Sequence, residues 1–321
     1  MNFKIYPHVK FVSGKNRSVL YDLKKSKIFN VPQVIGDLFT KLEENTIENI
    51  KNSLPEGKGD IVDKYIEFLN QNQLGFMHKG QLSGFTELSN AQYFPGDLRE
   101  AVFETDFSQY DLFRALTEIE QTGCRYLEIR VYCECRNIVS KVETLMKKLR
   151  VSSFRSVKFV IKFSGNLNEQ KLKEIYYSNP KLHSFYIHSA PWRKRDDAFI
   201  FTDETLHEKY LSLLRNRKYI VNLPFFLEAK YANPVYNLKI AVDITGRIKN
   251  LLGSEEFFGY VNTDSVRTII RTKSFKKYWN IQADLIKDIN DSPLRYAIYC
   301  PCPIVPSERN KQKYEYVLPN F

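Results

Sequence analysis

Apolar and polar residues are spaced in three successive ways along the chain, and each spacing predicts a different kind of unit. The first stretch reads as three strands, at 3–12, 18–23 and 27–30, with turns at 13–16 and 24–26. Helical spacing takes over after Pro32, whose missing N–H is one that a first helical turn leaves unpaired anyway. Val34, Ile35, Leu38, Phe39 and Leu42 form one apolar stripe. Thr46 is placed to cap a second helix carrying Ile47, Ile50 and Leu54. Gly59-Asp60 starts a third, with Ile61, Val62, Tyr65, Ile66, Phe68 and Leu69 on its inward side, and Leu74-Gly75-Phe76 ends a first unit at 1–78. Residues 79–97 are polar and turn-rich and read as a linker.

From Leu98 strand and helix patterns alternate. Strands are predicted at 101–107, 126–135, 156–163, 184–189, 198–202 and 218–223, with helices at 109–122, 137–149, 168–178 and 203–216. Such alternation makes a parallel sheet with helices outside it, closed or part-closed. The fold class is therefore α/β, with six strands expected in 98–236. The last unit, 237–321, opens with a strand at 238–242, a tight turn at Asp243-Ile244-Thr245-Gly246 and a return at 247–250. A short helix at 263–271 and the apolar anchors Phe275 and Trp279 follow.

Composition narrows the class. With 43% hydrophobic residues over 321 positions the chain is globular. No apolar run reaches the roughly 18 residues of a membrane span. The opening MNFKIYPHVK has no apolar core of the secretory type, so a cytoplasmic protein is expected. The five cysteines, Cys124, Cys133, Cys135, Cys300 and Cys302, are odd in number and read as free thiols. The net charge of +11 admits nucleic acid, an acidic peptide or an acidic protein as partner, but the lysines are scattered, with short clusters only at Lys24-Lys25, Lys147-Lys148, 193–195 and Lys276-Lys277.

Candidate chemistry is sparse. Cys133 and Cys135 share one face of a strand, but two thiolates without companions are too few for zinc or a cluster, and they read as buried structural residues. His188 precedes Ser189, yet adjacency in sequence does not create a base–nucleophile geometry. His8 and His78 fall in turns, His183 flanks a strand and His207 faces solvent, so none of the five histidines is expected to be catalytic. There is no nucleophile elbow, phosphate-binding glycine loop or H-E-x-x-H. Three strands and three helices also build a winged helix. A helix that reads bases needs Arg, Lys, Asn or Gln outward, whereas the third helix presents Asp60, Asp63 and Glu67 beside Lys64. Carboxylates facing phosphates weaken binding, so nucleic acid is not the expected partner.

The order of pieces after 238 resembles the SPASM domain of radical SAM peptide maturases. The resembling residues are the D-x-x-G-x-I hairpin (Asp243, Gly246, Ile248), the F-G pair (Phe258, Gly259) and F-x-x-x-W (Phe275, Trp279). In that pattern cysteines ligate an auxiliary iron–sulfur cluster. Here the first ligand position holds Leu251 and the tail positions hold Ile289 and Ser292, with Cys300 and Cys302 out of register. The family's C-x-x-x-C-x-x-C follows the first barrel strand, and 105–111 contains no cysteine. A glycine-rich cofactor stretch follows the second strand in the family; here 130–135 reads R-V-Y-C-E-C. The first unit resembles the PqqD-like peptide recognition element, through R-S-V-L-Y-D-L at 17–23, the apolar helix after Pro32 and L-G-F at 74–76. With Y-I-H-S-A-P at 186–191 and F-K-K-Y-W-N-I at 275–281, the likeness extends over nearly the whole chain. It is similar to the SPASM-domain maturase that accompanies an ATP-grasp ligase in grasp-with-spasm ribosomal peptide (RiPP) systems.

That resemblance implies a winged-helix-like PqqD-like domain at 1–78, a radical SAM-like partial (β/α)6 barrel at 98–236 and a degenerate SPASM-like hairpin-helix region at 237–321. It implies a chain whose iron–sulfur cluster is lost and which uses no cofactor. It would bind a precursor peptide's leader and present it to an ATP-grasp peptide ligase, without catalytic or metal residues of its own. In such elements the peptide adds a strand to an open sheet edge. The expected edge is Lys27, Ile28, Phe29 and Asn30, and the expected groove is lined by Val62, Tyr65, Ile66 and Leu69. The alternatives are a maturase that still holds an iron–sulfur cluster or S-adenosylmethionine, and a winged-helix regulator of nucleic acid.

Overall fold

The computed structural model describes residues 1–55, 57–80, 82, 94–132, 137–165 and 167–317. The first strand expected at 3–12 is two strands, β1 (Asn2–Ile5) and β2 (Val9–Ser13). Pro7 has no N–H to give a ladder, and the chain turns there, with the Val9 N–H on the Tyr6 carbonyl at 2.9 Å. β2, β3 (Ser18–Asp22) and β4 (Lys27–Val31) form an antiparallel sheet with β4 at an edge. α1 (Ile35–Glu44) begins three residues after Pro32, because 32–34 first make a tight turn closed by Ile35 N–H on the Pro32 carbonyl. Thr46 caps α2 (Ile47–Asn52) as expected, its hydroxyl accepting from the Asn49 N–H at 3.1 Å, and α3 (Gly59–Gln71) follows. Leu74-Gly75-Phe76 does not simply end the unit: β5 (Gly75–His78) returns antiparallel to β1. Position 75 has no room for a side chain, since a Cβ there would meet the Lys4 carbonyl oxygen and the Phe3 ring.

β3 has no solvent face; all five of its residues are buried. Leu20 joins Val9, Val31, Leu38, Ile50, Val62 and Leu69 in a core beneath the helices. Val19 and Tyr21, with Val12 and Leu23, are buried in the core of the rest of the chain. Tyr21 lies edge-on to Phe226 at 5.1 Å. The tip of the β2–β3 hairpin is fastened too: the Lys15 N–H donates to the Asp291 carbonyl at 2.9 Å, and Arg295 Nη1 to the Ser13 carbonyl at 2.8 Å. The sheet is a middle layer between two cores, so residues 1–78 do not enclose their own apolar surface.

The next elements are β6 (Glu100–Thr105), α4 (Leu112–Glu120), β7 (Tyr126–Val131), α5 (Ile138–Leu149), β8 (Ser156–Lys162), α6 (Glu169–Ser178), β9 (Leu182–His188), β10 (Lys194–Asp196), β11 (Phe199–Phe201) and α7 (Leu206–Arg215). β12 (Lys218–Tyr219), α8 (Leu223–Tyr231), β13 (Lys239–Val242) and β14 (Ile248–Lys249) follow. Eight of these strands make one mostly parallel sheet, in the order β10-β11-β9-β8-β7-β6-β13-β14. Only the outermost two, β10 and β14, run antiparallel to their neighbours. Helix starts follow their caps: Asp111 accepts from the N–H groups of Phe113 and Arg114, Asn168 from Lys171, and Thr205 forms a capping box with Glu208. The sixth strand expected at 218–223 is not in this sheet. Asn222 caps α8 instead, and β12 pairs antiparallel with β15 (Ile298–Tyr299). The sixth parallel strand is β13, laid against β6 from the opposite side. The expected strand at 126–135 runs into positions 133–136, which lie outside the described residues.

The turn after β13 is the one expected, with Gly246 at φ +83. The helix expected at 263–271 shrinks to α9 (Val266–Ile269), capped by Ser265. α10 (Lys273–Lys276) follows, then a 3-10 turn at Ala283–Leu285 and the antiparallel pair β16 (Ile304–Pro306) and β17 (Tyr314–Tyr316). Phe275 and Trp279 sit edge to face at 6.0 Å within the main core. No described helix is long and apolar enough to cross a membrane.

Alternation along the parallel strands sorts two faces of the sheet. One carries Ala101, Phe103, Leu127, Ile129, Val157, Phe159, Phe185 and Ile187, in one core with Leu116, Leu145 and Leu172 of α4–α6. The other carries Glu100, Glu104, Glu128, Arg130, Lys158, Tyr186 and His188, which brings charge together on a half-enclosed face.

Candidate functional site

The expected peptide edge is open: β4 pairs with β3, and no other described strand takes its outer side. The eight expected residues divide. Phe29 turns toward the helices and meets Phe68 of α3 edge-on at 5.9 Å. Ile28 turns the other way and packs against the main core, so it does not share a groove with Phe29. Lys27 and Asn30 are exposed. Val62 and Leu69, at 4% and 0% exposure, are closed into the core under the helices and offer no surface to a ligand. Tyr65 and Ile66 are half-buried and remain reachable beside Phe29. Lys24, Lys25 and Lys27 stand exposed at the head of β4, with the Lys25 ammonium on Gln73 Oε1 at 2.9 Å.

A second site was not anticipated. On the polar face of the parallel sheet a cavity of about 600 Å³ is walled by Glu100, Glu128, Arg130, Lys158 and Lys239, and closed by Tyr210, Asn250, Leu251 and Tyr299. A further cavity of about 240 Å³ shares Glu128, Arg130, Lys158, Tyr210 and Tyr299 with it and adds Lys209 and Lys218. Both carboxylates of these walls are already paired. Glu100 meets Lys239 at 2.8 Å and Arg99 at 3.3 Å. Glu128 accepts from Arg130 Nε and from Lys158 Nζ, each at 2.8 Å. Burial works against the Glu128 charge, but Arg130 and Lys158 outweigh it and hold its carboxyl well below the usual range. Arg130 Nη2 donates to the Tyr210 hydroxyl at 2.7 Å, while Nη1 lies 3.9 Å from Glu104, too far for a hydrogen bond. Burial raises the Glu104 carboxyl, which accepts from the Tyr132 hydroxyl at 3.0 Å. Burial, with Lys158 beside it, lowers the Lys209 ammonium to about 8; its Nζ lies 3.6 Å from the centroid of the Tyr186 ring.

At the end of β9, His188 Nδ1 lies 3.0 Å from Ser189 Oγ, and Ser189 has φ +56. A serine–histidine nucleophile needs an acid behind the imidazole. The charges acting on this ring are instead Lys162, Arg130 and Lys209, which add to burial in lowering its pKa to about 4. Cys124, Cys300 and Cys302 are buried free thiols. The hydrogen bond between Cys300 and Cys302, then burial, raises the Cys302 thiol. Cys133 and Cys135 lie outside the described residues. Leu251 lines the large cavity, Ile289 is core, and Ser292 Oγ accepts from the Leu294 N–H at 3.1 Å. Among the described residues no group of three or more His, Cys, Asp or Glu could hold a metal ion.

No known family model matches the chain, and no curated protein matches it. The cavity residues carried a signal that pattern reading passes over. Glu128-Ile129-Arg130 and Lys158 put charge at alternate positions of strands flanked by amphipathic helices. In a parallel sheet both faces are covered, so such charges line an enclosed polar space, not solvent.

Proposed function

We propose that this chain is a peptide-binding accessory protein. It captures an extended peptide along the outer edge of β4 and holds it for a partner enzyme. One observation carries this reading: no described strand pairs with the outer side of β4, and its sheet is packed between two cores. An unpaired edge is a template for an added strand, and main-chain hydrogen bonds supply its affinity. Phe29, Tyr65 and Ile66 would hold alternate side chains of the peptide, and Lys27 and Asn30 would flank it. Lys24, Lys25 and Lys27 favour an acidic peptide, mainly through its rate of association.

The resemblance of the sequence to grasp-with-spasm maturases supplies the context. On that reading the N-terminal part is a winged-helix-like PqqD-like element, the parallel sheet a degenerate radical SAM-like barrel, and 237–321 a degenerate SPASM-like region. The peptide is a RiPP precursor and the partner an ATP-grasp ligase. Leu251, Ile289 and Ser292 stand at the cluster-ligand positions of that pattern and cannot supply thiolates.

The test uses the full chain, because Val19 and Tyr21 would be stripped of their covering in a 1–78 fragment. A precursor peptide encoded beside the gene should slow hydrogen exchange at alternate residues of β4 and nowhere else in the three-stranded sheet. Binding that leaves β4 exchange unchanged would overturn the edge assignment. Reconstitution with iron and sulfide that yields about four irons per chain, the content of one [4Fe–4S] cluster, would overturn the accessory reading in favour of a cluster enzyme.

A further inference from the structure

The large cavity contains an unexplained cost. Arg130 is 7% exposed and Asn250 4% exposed. Arg130 Nη1 and both amide atoms of Asn250, Nδ2 and Oδ1, are buried without a hydrogen-bond partner among the described residues. Buried polar atoms are almost always paired, and each unpaired one costs stability. Both residues line the same cavity. Across the two cavities, the cations Arg130, Lys158, Lys209, Lys218 and Lys239 outnumber the lining carboxylates Glu100 and Glu128, which are already engaged, and still outnumber them when Glu104, 3.9 Å from Arg130 Nη1, is counted. An anion is the missing charge.

Asn250 decides what kind of anion. Its free amide offers one donor and one acceptor side by side, the complement of a peptide group. A phosphate can meet both amide atoms only if it turns a P–OH proton toward Oδ1, whereas a peptide group supplies an N–H donor and a C=O acceptor in one plane. We propose that this cavity is a second binding site of the protein, for a short acidic peptide segment: a side-chain carboxylate is taken by Arg130, with Lys209 nearby, and a main-chain amide by Asn250. The inference rests on the reading of the chain as a peptide binder and names a substrate class for it.

Spacing along the sheet fits. Asn250 follows β14, which lies three strands from β7 and Arg130. That is about 14 Å of backbone separation at about 4.8 Å per strand, shortened by the reach of the arginine side chain. Three or four extended residues, at about 3.3 Å each, cover it. A volume of about 600 Å³ lies within the range of sites that enclose small ligands.

The probes are acetyl-tetraglutamate amide, acetyl-tetraglutamine amide and inorganic phosphate, titrated calorimetrically into the full chain at low salt. Tetraglutamate should bind, and tetraglutamine at least about tenfold more weakly, the scale of one charge-assisted hydrogen bond. Asn250→Leu should weaken tetraglutamate about tenfold while its melting temperature stays equal to or above that of the parent, because the substitution removes two unpaired polar atoms from the free protein. Lys209→Met should weaken tetraglutamate but not tetraglutamine. Equal affinity for the two peptides, or binding indifferent to Asn250→Leu, overturns the proposal. Phosphate that binds where tetraglutamate does not also overturns it, making the cavity a phosphate site. Ile28→Pro separates the two readings. Tetraglutamate binding that survives this change but fails in Asn250→Leu belongs to the cavity. The reverse pattern leaves the β4 edge standing and removes the cavity.

Discussion

The hydroxyl of Tyr21 donates to the carbonyl oxygen of Pro293 at 2.8 Å, joining residues 272 positions apart in sequence. This contact, with the edge-on packing of Tyr21 on Phe226, fastens the three-stranded sheet to the body that carries the cavity. Tyr21→Phe leaves a buried carbonyl without a partner and should lower stability by about 1–3 kcal/mol. Tyr21→Ala should lower it by about 3–5 kcal/mol. Urea titration followed by far-UV circular dichroism should show one transition in the parent. A first step confined to the N-terminal strands, present already in the parent, would contradict the joint core.

Asp243 organises the β13–β14 turn. Oδ1 accepts from the Thr245 N–H at 3.0 Å, the Thr245 hydroxyl at 2.8 Å and the Arg247 N–H at 3.1 Å; Oδ2 meets Arg247 Nε at 2.7 Å and Lys249 Nζ at 3.2 Å. Burial opposes the charge, but the bonds from Thr245, Arg247 and Lys249 outweigh it, so the carboxyl is lower than in the unfolded chain. A depressed carboxyl contributes stability that is present above its unfolded pKa of 3.8 and lost as pH falls through the folded value. Asp243→Asn removes that contribution and also the ion-pair partner lying 3.2 Å from the buried Lys249 ammonium, which keeps its hydrogen bond to the Ser254 carbonyl. A loss of about 3 kcal/mol at neutral pH is expected, shrinking in acid. Chemical denaturation at two pH values reads both, and a loss that does not shrink in acid would show that the charge is not its source.

Trp279 gives a contrast between size and polarity. Its ring is packed against Phe275, but Nε1 is buried without a hydrogen-bond partner among the described residues. Trp279→Ala should cost about 3–5 kcal/mol. Trp279→Phe keeps an aromatic body and removes the unpaired donor, so its cost should stay within about 1.5 kcal/mol. Similar losses for the two variants would show that the indole N–H is satisfied after all.

What the sequence made legible was local. Thr46 was readable as a cap because its side-chain oxygen reaches a free N–H within one turn, which depends on neighbours in sequence; the same chemistry fixes the starts at Asp111, Asn168 and Thr205, within two residues of the expected 109, 168 and 203. The partner of β13 was not legible. Its apolar pattern suits a hairpin strand and a strand of a parallel sheet equally, and its place beside β6 is decided by packing across more than a hundred positions. The same limit hid the second face of β3: the pattern of 18–23 shows a strand of the unit 1–78 and not that Val19 and Tyr21 form the seam to a larger core. Of the expected groove, Val62 and Leu69 went to the core because helical spacing identifies a buried side without saying what buries it. Arg130 and Asn250 are far apart in sequence, so only the fold brings them to one cavity.

Lys209 makes the charge of that cavity measurable. Lys158, Arg130 and Lys218 act against its charge and the Glu128 carboxylate for it, and its Nζ rests on the Tyr186 ring. Its pKa, from burial first and Lys158 next, is about 8 in the folded chain against 10.5 unperturbed. Below pH 8 the lysine is charged in both states and the folded chain carries the full cost. Between 8 and 10.5 the unfolded chain holds more protons, so this group makes stability rise with pH across that window. Lys209→Met abolishes the effect. The variant should be more stable than the parent at neutral pH, and the difference should fall toward the value set by packing alone as pH approaches 10.5. Tyrosines that ionise in the same range are common to both chains and cancel in the difference. Urea midpoints near pH 7, 8.5 and 10 suffice, and a difference constant across them would mean that Lys209 keeps an ordinary pKa. Because a bound carboxylate favours the charged form, tetraglutamate should take up a proton on binding between about pH 8 and 10. Calorimetry in buffers of different ionisation heat counts that proton, and a count of zero would place the carboxylate out of reach of Lys209.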